Sequence, residues 1–501
     1  MLRRLGGVGP YAGKMTTLAH SLKPVTADTL AVFVTKATDG KWITPLTGAL
    51  DEAIKSSLAK LNFESGVDAV STFPAPDSSD YRAITVVSIP GDAGVIDPLR
   101  YAAGTSARGA RGTIALVFPT DSAEDSAQVL EGAALSALPV FTRKSGKSPT
   151  GVTKITVISK HKPDIETVKE RVDAVKAVRD LVSEVPNVLS PAELASRVSA
   201  GAKGTGLTVE VLDEKKLKAG GFGGILGIGA GSSRPPRLVV LRHKPRGAKL
   251  HVALVGKGIT FDTGGLSIKP AASMIGMKYD MTGAATVYAV ARAVAKLKLP
   301  IAITAWLCIA ENMPSGTAIR PNDVITIRGG KTVEVTNTDA EGRVVMADGL
   351  VAASEENPDL IIDIATLTGA ARTALGDRIA GVMGDTDVAA KLSFAATDAG
   401  DEVWHMPLPA YLRPVLATDI ADIANAKIGH TAAGMLIGGI FLKEFVGKRK
   451  DGSTIPWAHL DIAGPANNGA GPYGYTPKGA TGTMVRTLIQ FLSDLSRSQK
   501  K

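Results

Sequence analysis

Short, largely apolar runs that alternate with helical stretches restrict this chain more than any other feature. His251 to Val255, Ile301 to Ile309 and Leu360 to Ala365 are too brief for ordinary helices and offer no polar face, so each reads as a buried strand. Between them stand Ala-rich Thr282 to Leu297 and Arg343 to Glu356, both spaced as helices, the second stopping near Pro358. Buried strands separated by helices build a largely parallel sheet, and such sheets collect ligands beyond the strands' carboxyl ends. The fold class is therefore α/β, with a mixed, largely parallel central sheet in the larger, C-terminal part.

The earlier chain alternates in the same way. Leu30 to Val34, Ala83 to Ile89 and Thr113 to Phe118 are β-rich, and Ser122 to Leu138 has helical spacing, which gives a smaller N-terminal α/β domain over residues 1–163. Nothing in it combines His, Cys, Asp and Glu at ligand spacings, so no chemistry is assigned to it. Val168, Val172, Val175, Val178 and Val182 recur by threes and fours ahead of Pro186, so residues 164–186 read as a linker helix and 187–501 as the second domain. That domain begins with Ala192 to Ala202, a strand around Leu207 to Leu212 and another at Arg237 to Leu241, and Val324 to Val335 reads as a hairpin around Gly329 and Gly330. The stretch GGFGGILGIGAG at 220–231 has neither GxGxxG nor a P-loop lysine between strand and helix, so it reads as close backbone packing or a loop.

With 501 residues the chain exceeds one ordinary core, in keeping with two domains. No apolar run approaches the roughly 18 residues that span a bilayer, so no membrane partner is expected. Cys308 is the single cysteine, set in an apolar run, which makes it a packing residue and excludes disulfides within the chain. The net charge of +9 is spread among interleaved acids and bases, which describes a solvated surface better than a nucleic-acid patch. Before Asp28 come Arg3, Arg4, Lys14 and Lys23 and no acid, as in a mitochondrial transit peptide, but Gly6, Gly7, Gly9 and Pro10 spoil an amphipathic helix. The expected compartment is the cytoplasm, with the mitochondrial matrix as the alternative in a eukaryote.

Charged residues accumulate in three segments at strand ends. GKGITFDTGGLSIKP at 256–270 places Lys257, Asp262 and Lys269 in a loop after the strand; MKYDMTGAA at 277–285 sets Asp280 ahead of a helix; NTDAEGR at 337–343 brings Asp339, Glu341 and Arg343 between strand and helix. If 339–341 is extended, both carboxylates point to one side. Singly these are ordinary features: Asp280 a helix cap, the lysines solvated, Asp339 and Glu341 a polar turn. Together, four converging carboxylates repel one another unless divalent cations neutralise them, and an oxygen-dominated set suits Mn²⁺, Mg²⁺, Zn²⁺ or Co²⁺ better than copper. Lys257 joins such a set only as a neutral amine, which a neighbouring dication favours.

These segments, with ATLTGA at 365–370 and WAHLDIAG at 457–464, resemble the leucyl aminopeptidases of the M17 metallopeptidase family over roughly residues 175–495. The resemblance implies that Asp262 and Glu341 bridge two divalent metal ions, Mn²⁺ or Zn²⁺, with Asp339 on the more exchangeable one and Lys257 and Asp280 on the tighter. It implies that Lys269 steadies the developing oxyanion and that Arg343 holds a bicarbonate ion as proton acceptor. Met277, Thr366, Leu367 and Gly369 match positions of the first side-chain pocket, whose apolar character suggests Leu or Met. A homohexamer acting on peptides with a free N-terminus is likewise implied. The chain departs from the family pattern at RDLVSEVPN, 179–187, and at Thr483, where many relatives carry Phe.

His405, His430 and His459 stand outside the motif and read as packing or surface residues, and Asp461 as a structural group holding backbone near the site. Two other classes compete with a peptidase: a DNA-binding or architectural protein, and a different di-metal amide or ester hydrolase.

Overall fold

The computed structural model describes residues 16–91, 94–119, 122–145 and 151–498; Arg3, Arg4 and Lys14, with the glycines among them, lie outside these. The chain divides into two compact units. One runs to Lys176 and takes in Ala470–Lys478; the other comprises Ala177–Gly469 and the residues from Gly479 onward. The helix anticipated at 164–184 forms as Ile165–Ser183, and the division falls inside it.

The first unit is built on a sheet of β1 (Thr17–Ser21), β2 (Ala27–Lys36), β3 (Trp42–Ile43), β4 (Val70–Pro74), β5 (Tyr81–Ser88), β6 (Gly112–Val117) and β7 (Val152–Ile158), in the order β1-β7-β6-β2-β5-β4 with β3 on β2. The five strands β1, β7, β6, β2 and β5 are parallel, and β4 runs antiparallel along β5. Alternation along β2 and β5 turns Leu30, Val32, Val34, Ile84 and Val86 to one face, where helix Ala49–Lys60 buries Ile54 and Leu58 against them. Helix Pro98–Ala107 starts with Asp97 capping the Arg100 amide and Pro98 in its first turn; Ala123–Ser136 starts with a Ser122–Asp125 capping box.

The second unit is organised by an eight-stranded sheet. Its strands are β8 (Thr208–Leu212), β9 (Arg237–His243), β10 (His251–Asp262), β11 (Ala302–Asn312), then, after a separate hairpin of β12 (Val324–Thr326) and β13 (Thr332–Glu334), β14 (Leu360–Ala365), β15 (Ile379–Gly384), β16 (Glu402–His405) and, beyond β17 (Ile423–Ala424), β18 (Trp457–Asp461). The order is β16-β15-β18-β14-β10-β11-β9-β8. The central four, β18, β14, β10 and β11, are parallel, while β9 is antiparallel to β11 and β15 to β18. The sheet is thus mixed with a parallel centre, as the apolar runs imply.

One local expectation is corrected. β10 does not stop near Val255 but continues to Asp262, so Lys257 and Asp262 stand on a strand rather than in the loop after it. The continuation is possible because Gly256 and Gly258 carry no side chain: a Cβ on Gly256 would lie 2.6 Å from the Gly283 carbonyl oxygen, and one on Gly258 2.8 Å from that of Cys308. The Gly-rich stretch contains a short helix, Gly223–Gly229, and packs closely, since a Cβ on Gly223 would lie 2.0 Å from the Thr326 carbonyl oxygen. The hairpin at 324–335 forms, with Gly329 and Gly330 at φ 84° and 95°.

Candidate metal centre

Three segments of the chain converge at the carboxyl ends of β10 and β14. β10 supplies Lys257 and, after a register shift between Ile259 and Asp262, the Asp262 carboxylate; such irregularities re-aim a side chain. The short turn Met277–Tyr279 delivers Asp280, which does not cap the following helix, whose first flanking residue is Met281. Residues 339–341 are not extended: Ala340 has φ −104° and ψ 40°, and Glu341 already opens helix Glu341–Glu355. The turn nevertheless keeps both near Asp262: Glu341 joins it at the buried cluster, and Lys269 links Asp339 to it.

Lys257 is 3% exposed, and its Nζ lies 2.8 Å from Asp280 Oδ1, 2.8 Å from Glu341 Oε1 and 3.0 Å from the Thr366 carbonyl oxygen. Lys269 Nζ lies 2.8 Å from Asp262 Oδ2 and 2.5 Å from Asp339 Oδ1. Burial by itself pushes both ammonium groups toward neutrality, but the surrounding carboxylates outweigh it and hold both above the ordinary lysine range. The carboxylates feel the converse. Burial, then Glu341 and Asp262, drive Asp280 well above its ordinary value against the pull of Lys257, and the same causes push Asp339 up to about 6. Two lysines do not satisfy four carboxylates.

The donor set fits divalent cations. Asp262, Asp280 and Glu341, all buried, each present one ligand oxygen within 4.8 Å of the others. Asp280 Oδ2 is buried without a hydrogen-bond partner among the described residues, which is costly for a carboxylate oxygen unless a cation takes it. Asp339 stands beside this trio through Lys269, and with one-third of its side chain exposed it is the outermost of the four.

Arg343 is buried and donates from Nη1 to the Asn425 carbonyl oxygen at 2.8 Å, while its Nε has no partner among the described residues. Burial lowers its pKa to about 10, opposed by Glu341 and Asp461, so it remains a cation at neutral pH. Thr366 Oγ1 donates to Asp280 Oδ1 at 2.7 Å. Leu367 is half-buried and its amide donates to Asp461, which also takes the Thr368 hydroxyl and the Ala463 amide, so Asp461 holds backbone as anticipated. Gly369 opens helix Gly369–Leu375 with nothing within 4 Å of a would-be Cβ, and Met277 is half-buried at the turn before Asp280.

Sequence reasoning missed the residues that aim these groups. Asn312 Nδ2 bonds Asp262 Oδ1 at 2.8 Å and the Thr338 carbonyl at 3.0 Å, tying two of the segments together. Asn425 accepts the Thr336 and Asn337 amides and donates to the Asn337 carbonyl at 2.7 Å. Both are buried asparagines far from their partners in sequence; a buried amide at the end of an apolar strand was the only signal, and only for Asn312. His459 is buried against Asp363 at 2.5 Å, and His405 and His430 are exposed.

A family model described as "Cytosol aminopeptidase family, catalytic domain" matches residues 176–489. The chain belongs to the cytosol aminopeptidase family. A probable cytosol aminopeptidase of Leifsonia xyli subsp. xyli is 50% identical over 470 residues, covering 91% of this chain and 94% of that one. Among solved structures, the bottromycin maturation enzyme BotP in complex with Mn is 35% identical, with TM-score 0.82 over 94% of this chain and 100% of that one. A mutant of tomato leucine aminopeptidase is 28% identical, with TM-score 0.84 over 97% of this chain and 98% of that one. This family member is accordingly a peptidase of the aminopeptidase class, and both the α/β fold and the family resemblance are confirmed. Among the described residues no helix is long and apolar enough to cross a membrane.

Proposed function

We propose that this family member is a two-metal exopeptidase that removes the N-terminal residue, by preference Leu or Met, from unblocked peptides, with residues 187–501 as its catalytic part. The observation that carries the reading is the buried trio Asp262, Asp280 and Glu341, with an unpartnered Asp280 oxygen inside it. Asp262, Glu341, Asp280 and Lys257 would hold one ion, and Asp339 with Asp262 and Glu341 would hold a second, more exposed one. Divalent ions held there would supply Lewis-acid polarisation of the scissile carbonyl. BotP in complex with Mn favours Mn²⁺, with Zn²⁺ as the alternative.

The remaining work falls to the chain itself. Lys269, half-buried between Asp262 and Asp339, is placed to steady an oxygen that gains charge. Arg343 has a spare buried donor, which fits it to hold a bicarbonate ion as proton acceptor, since no histidine stands among these ligands. Met277, Thr366, Leu367 and Gly369 line the first side-chain pocket, and the open side of Gly369 leaves space for an apolar side chain. A cytoplasmic homohexamer completes the proposal; mass measurement in solution tests the assembly.

The decisive assay is release of p-nitroaniline from Leu-p-nitroanilide, before and after chelation and reloading with Mn²⁺ or Zn²⁺, beside an N-acetylated substrate and the Asp339→Ala variant. Metal-dependent cleavage of the free amine alone, abolished in the variant, establishes the proposal. Absence of cleavage with every divalent metal sinks it, and cleavage of the acetylated substrate points to another di-metal amide hydrolase.

A further inference from the structure

The N-terminal unit holds a cleft of about 620 Å³ at the start of β2, β5 and β6 and the end of helix Pro98–Ala107. That volume lies within the roughly 300–1,000 Å³ of small-molecule sites. Three arginines line it, Arg82, Arg108 and Arg111, against a single acid, Asp28.

The three differ in what they already hold. Arg108 is committed, its Nη2 lying 3.0 Å from Asp68 Oδ1 and 2.9 Å from the Gly474 carbonyl oxygen. Among the described residues Arg82 has only Asp28, at 3.5 Å, and it keeps 87% of its side chain exposed. Asp28 is itself engaged, accepting the Thr113 amide at 2.8 Å and the Thr113 hydroxyl at 2.9 Å, bonds that hold its carboxyl below the usual range. Arg111 has no ion-pair partner among the described residues. By strand alternation Thr29 and Thr85 share the face opposite Leu30 and Ile84, adding hydroxyls to the cleft.

A lone surface arginine is normally just solvated. Asp68 offsets Arg108 and Asp28 stands beside Arg82, but three arginines against these two acids leave the concave wall net positive, and Arg82 and Arg111 offer planar forks that match carboxylate and phosphate oxygens. We propose that this cleft binds a small molecule bearing more than one phosphate or carboxylate group, gripped by Arg82 and Arg111. The site is separate from the hydrolytic proposal, since none of its residues belongs to that constellation.

Calorimetric titration of the full-length, metal-loaded protein with pyrophosphate and with tricarballylate at low salt tests this, using Arg82→Gln/Arg111→Gln and Asp339→Ala variants. Saturable one-to-one binding is expected, weakened about tenfold or more by the double arginine change and untouched by Asp339→Ala. The arginine variant keeps wild-type peptidase rate and melting temperature. Binding of pyrophosphate alone assigns phosphate chemistry, and of tricarballylate alone carboxylate chemistry. The proposal is overturned if neither binds, if binding survives the arginine changes, if Asp339→Ala abolishes it, or if a short DNA duplex is held by these arginines while the small anions are not.

Discussion

Asp68 in the N-terminal unit and Asp280 in the larger one are both carboxylates drawn out of water, yet their surroundings move them in opposite directions. Asp68 accepts from the Tyr101 hydroxyl at 2.6 Å, the Thr105 hydroxyl at 2.9 Å, Arg108 at 3.0 Å and the Gly474 amide at 3.1 Å. Burial works against its charge, but these donors outweigh it and hold the group below its ordinary value. Asp280 spends one oxygen on Lys257 and Thr366, leaves the other unmet and faces two further carboxylates, so it is driven upward. A carboxylate whose oxygens are all supplied with donors ties backbone and side chains together. One set among like charges stores an affinity for cations.

The sharpest break in this comparison is catalytic. Asp280→Ala or Asp339→Ala is expected to cost on the order of 10³-fold or more in kcat/KM for Leu-p-nitroanilide. Asp68→Asn is expected to stay within about twofold of wild type. Equal losses from both would mean that the contrast has no bearing on chemistry. Next in size, Lys269→Ala should lower kcat by roughly 10²–10³ with little change in KM, as for a lost oxyanion donor; a change confined to KM would make Lys269 a ground-state binder instead.

Stability separates the two regions in a different way. Chelated wild-type protein should melt lower than metal-loaded protein, by about 2.7 kcal/mol at a hundredfold excess over Kd, and Asp280→Asn should shrink that gap while Asp68→Asn preserves it. Asp68→Asn should itself cost about 1–3 kcal/mol in urea titrations, because donors aimed at the carboxylate lose a charged acceptor.

The smallest effect concerns pH and has opposite sign in the two places. In chelated protein Asp339, held at about 6 against an ordinary 3.8, is a burden once ionised. That burden is absent below about pH 4, grows as pH rises through 6 and is complete above it. Asp68, held low, contributes stability that is present above its ordinary value of 3.8 and is lost as pH falls through its depressed one. Melting curves of chelated Asp339→Asn should therefore flatten between pH 4 and 6, and those of Asp68→Asn only below pH 4. A flattening in the other window for either variant contradicts the assignment.

Much of this was legible from the chain alone. The apolar runs gave three strands of the parallel centre, β10, β11 and β14, because burial on both faces leaves its mark on every residue of a strand. β15, β16 and β18 were not read, and neither was the reversed direction of β9, since strand direction depends on partners distant in sequence. The charged segments pointed to side chains that do lie together but misjudged their backbone. The sequence around Asp339 carries polar turn residues, and a turn delivered what an extended strand had been expected to deliver. Asn425 was invisible and Asn312 carried only its place at the end of an apolar strand, because their work is to join segments dozens of residues apart. The return of Ala470–Lys478 to the first unit has the same origin, an association between regions hundreds of residues apart that no local spacing encodes.

Gly342 follows Glu341 on the helix that faces Lys257. A Cβ there would lie 2.5 Å from Lys257 Cε and 2.7 Å from its Nζ, and a Cβ on Gly283 would lie 2.9 Å from the Lys257 amide nitrogen. The lysine is thus walled in by missing atoms as much as by charged ones. In a scan of every single substitution, Gly342→Ala and Gly283→Ala should rank beside the carboxylate changes, although neither adds nor removes a charge. A search for inactive natural variants should weigh a lost hydrogen at these two positions as heavily as a lost ligand.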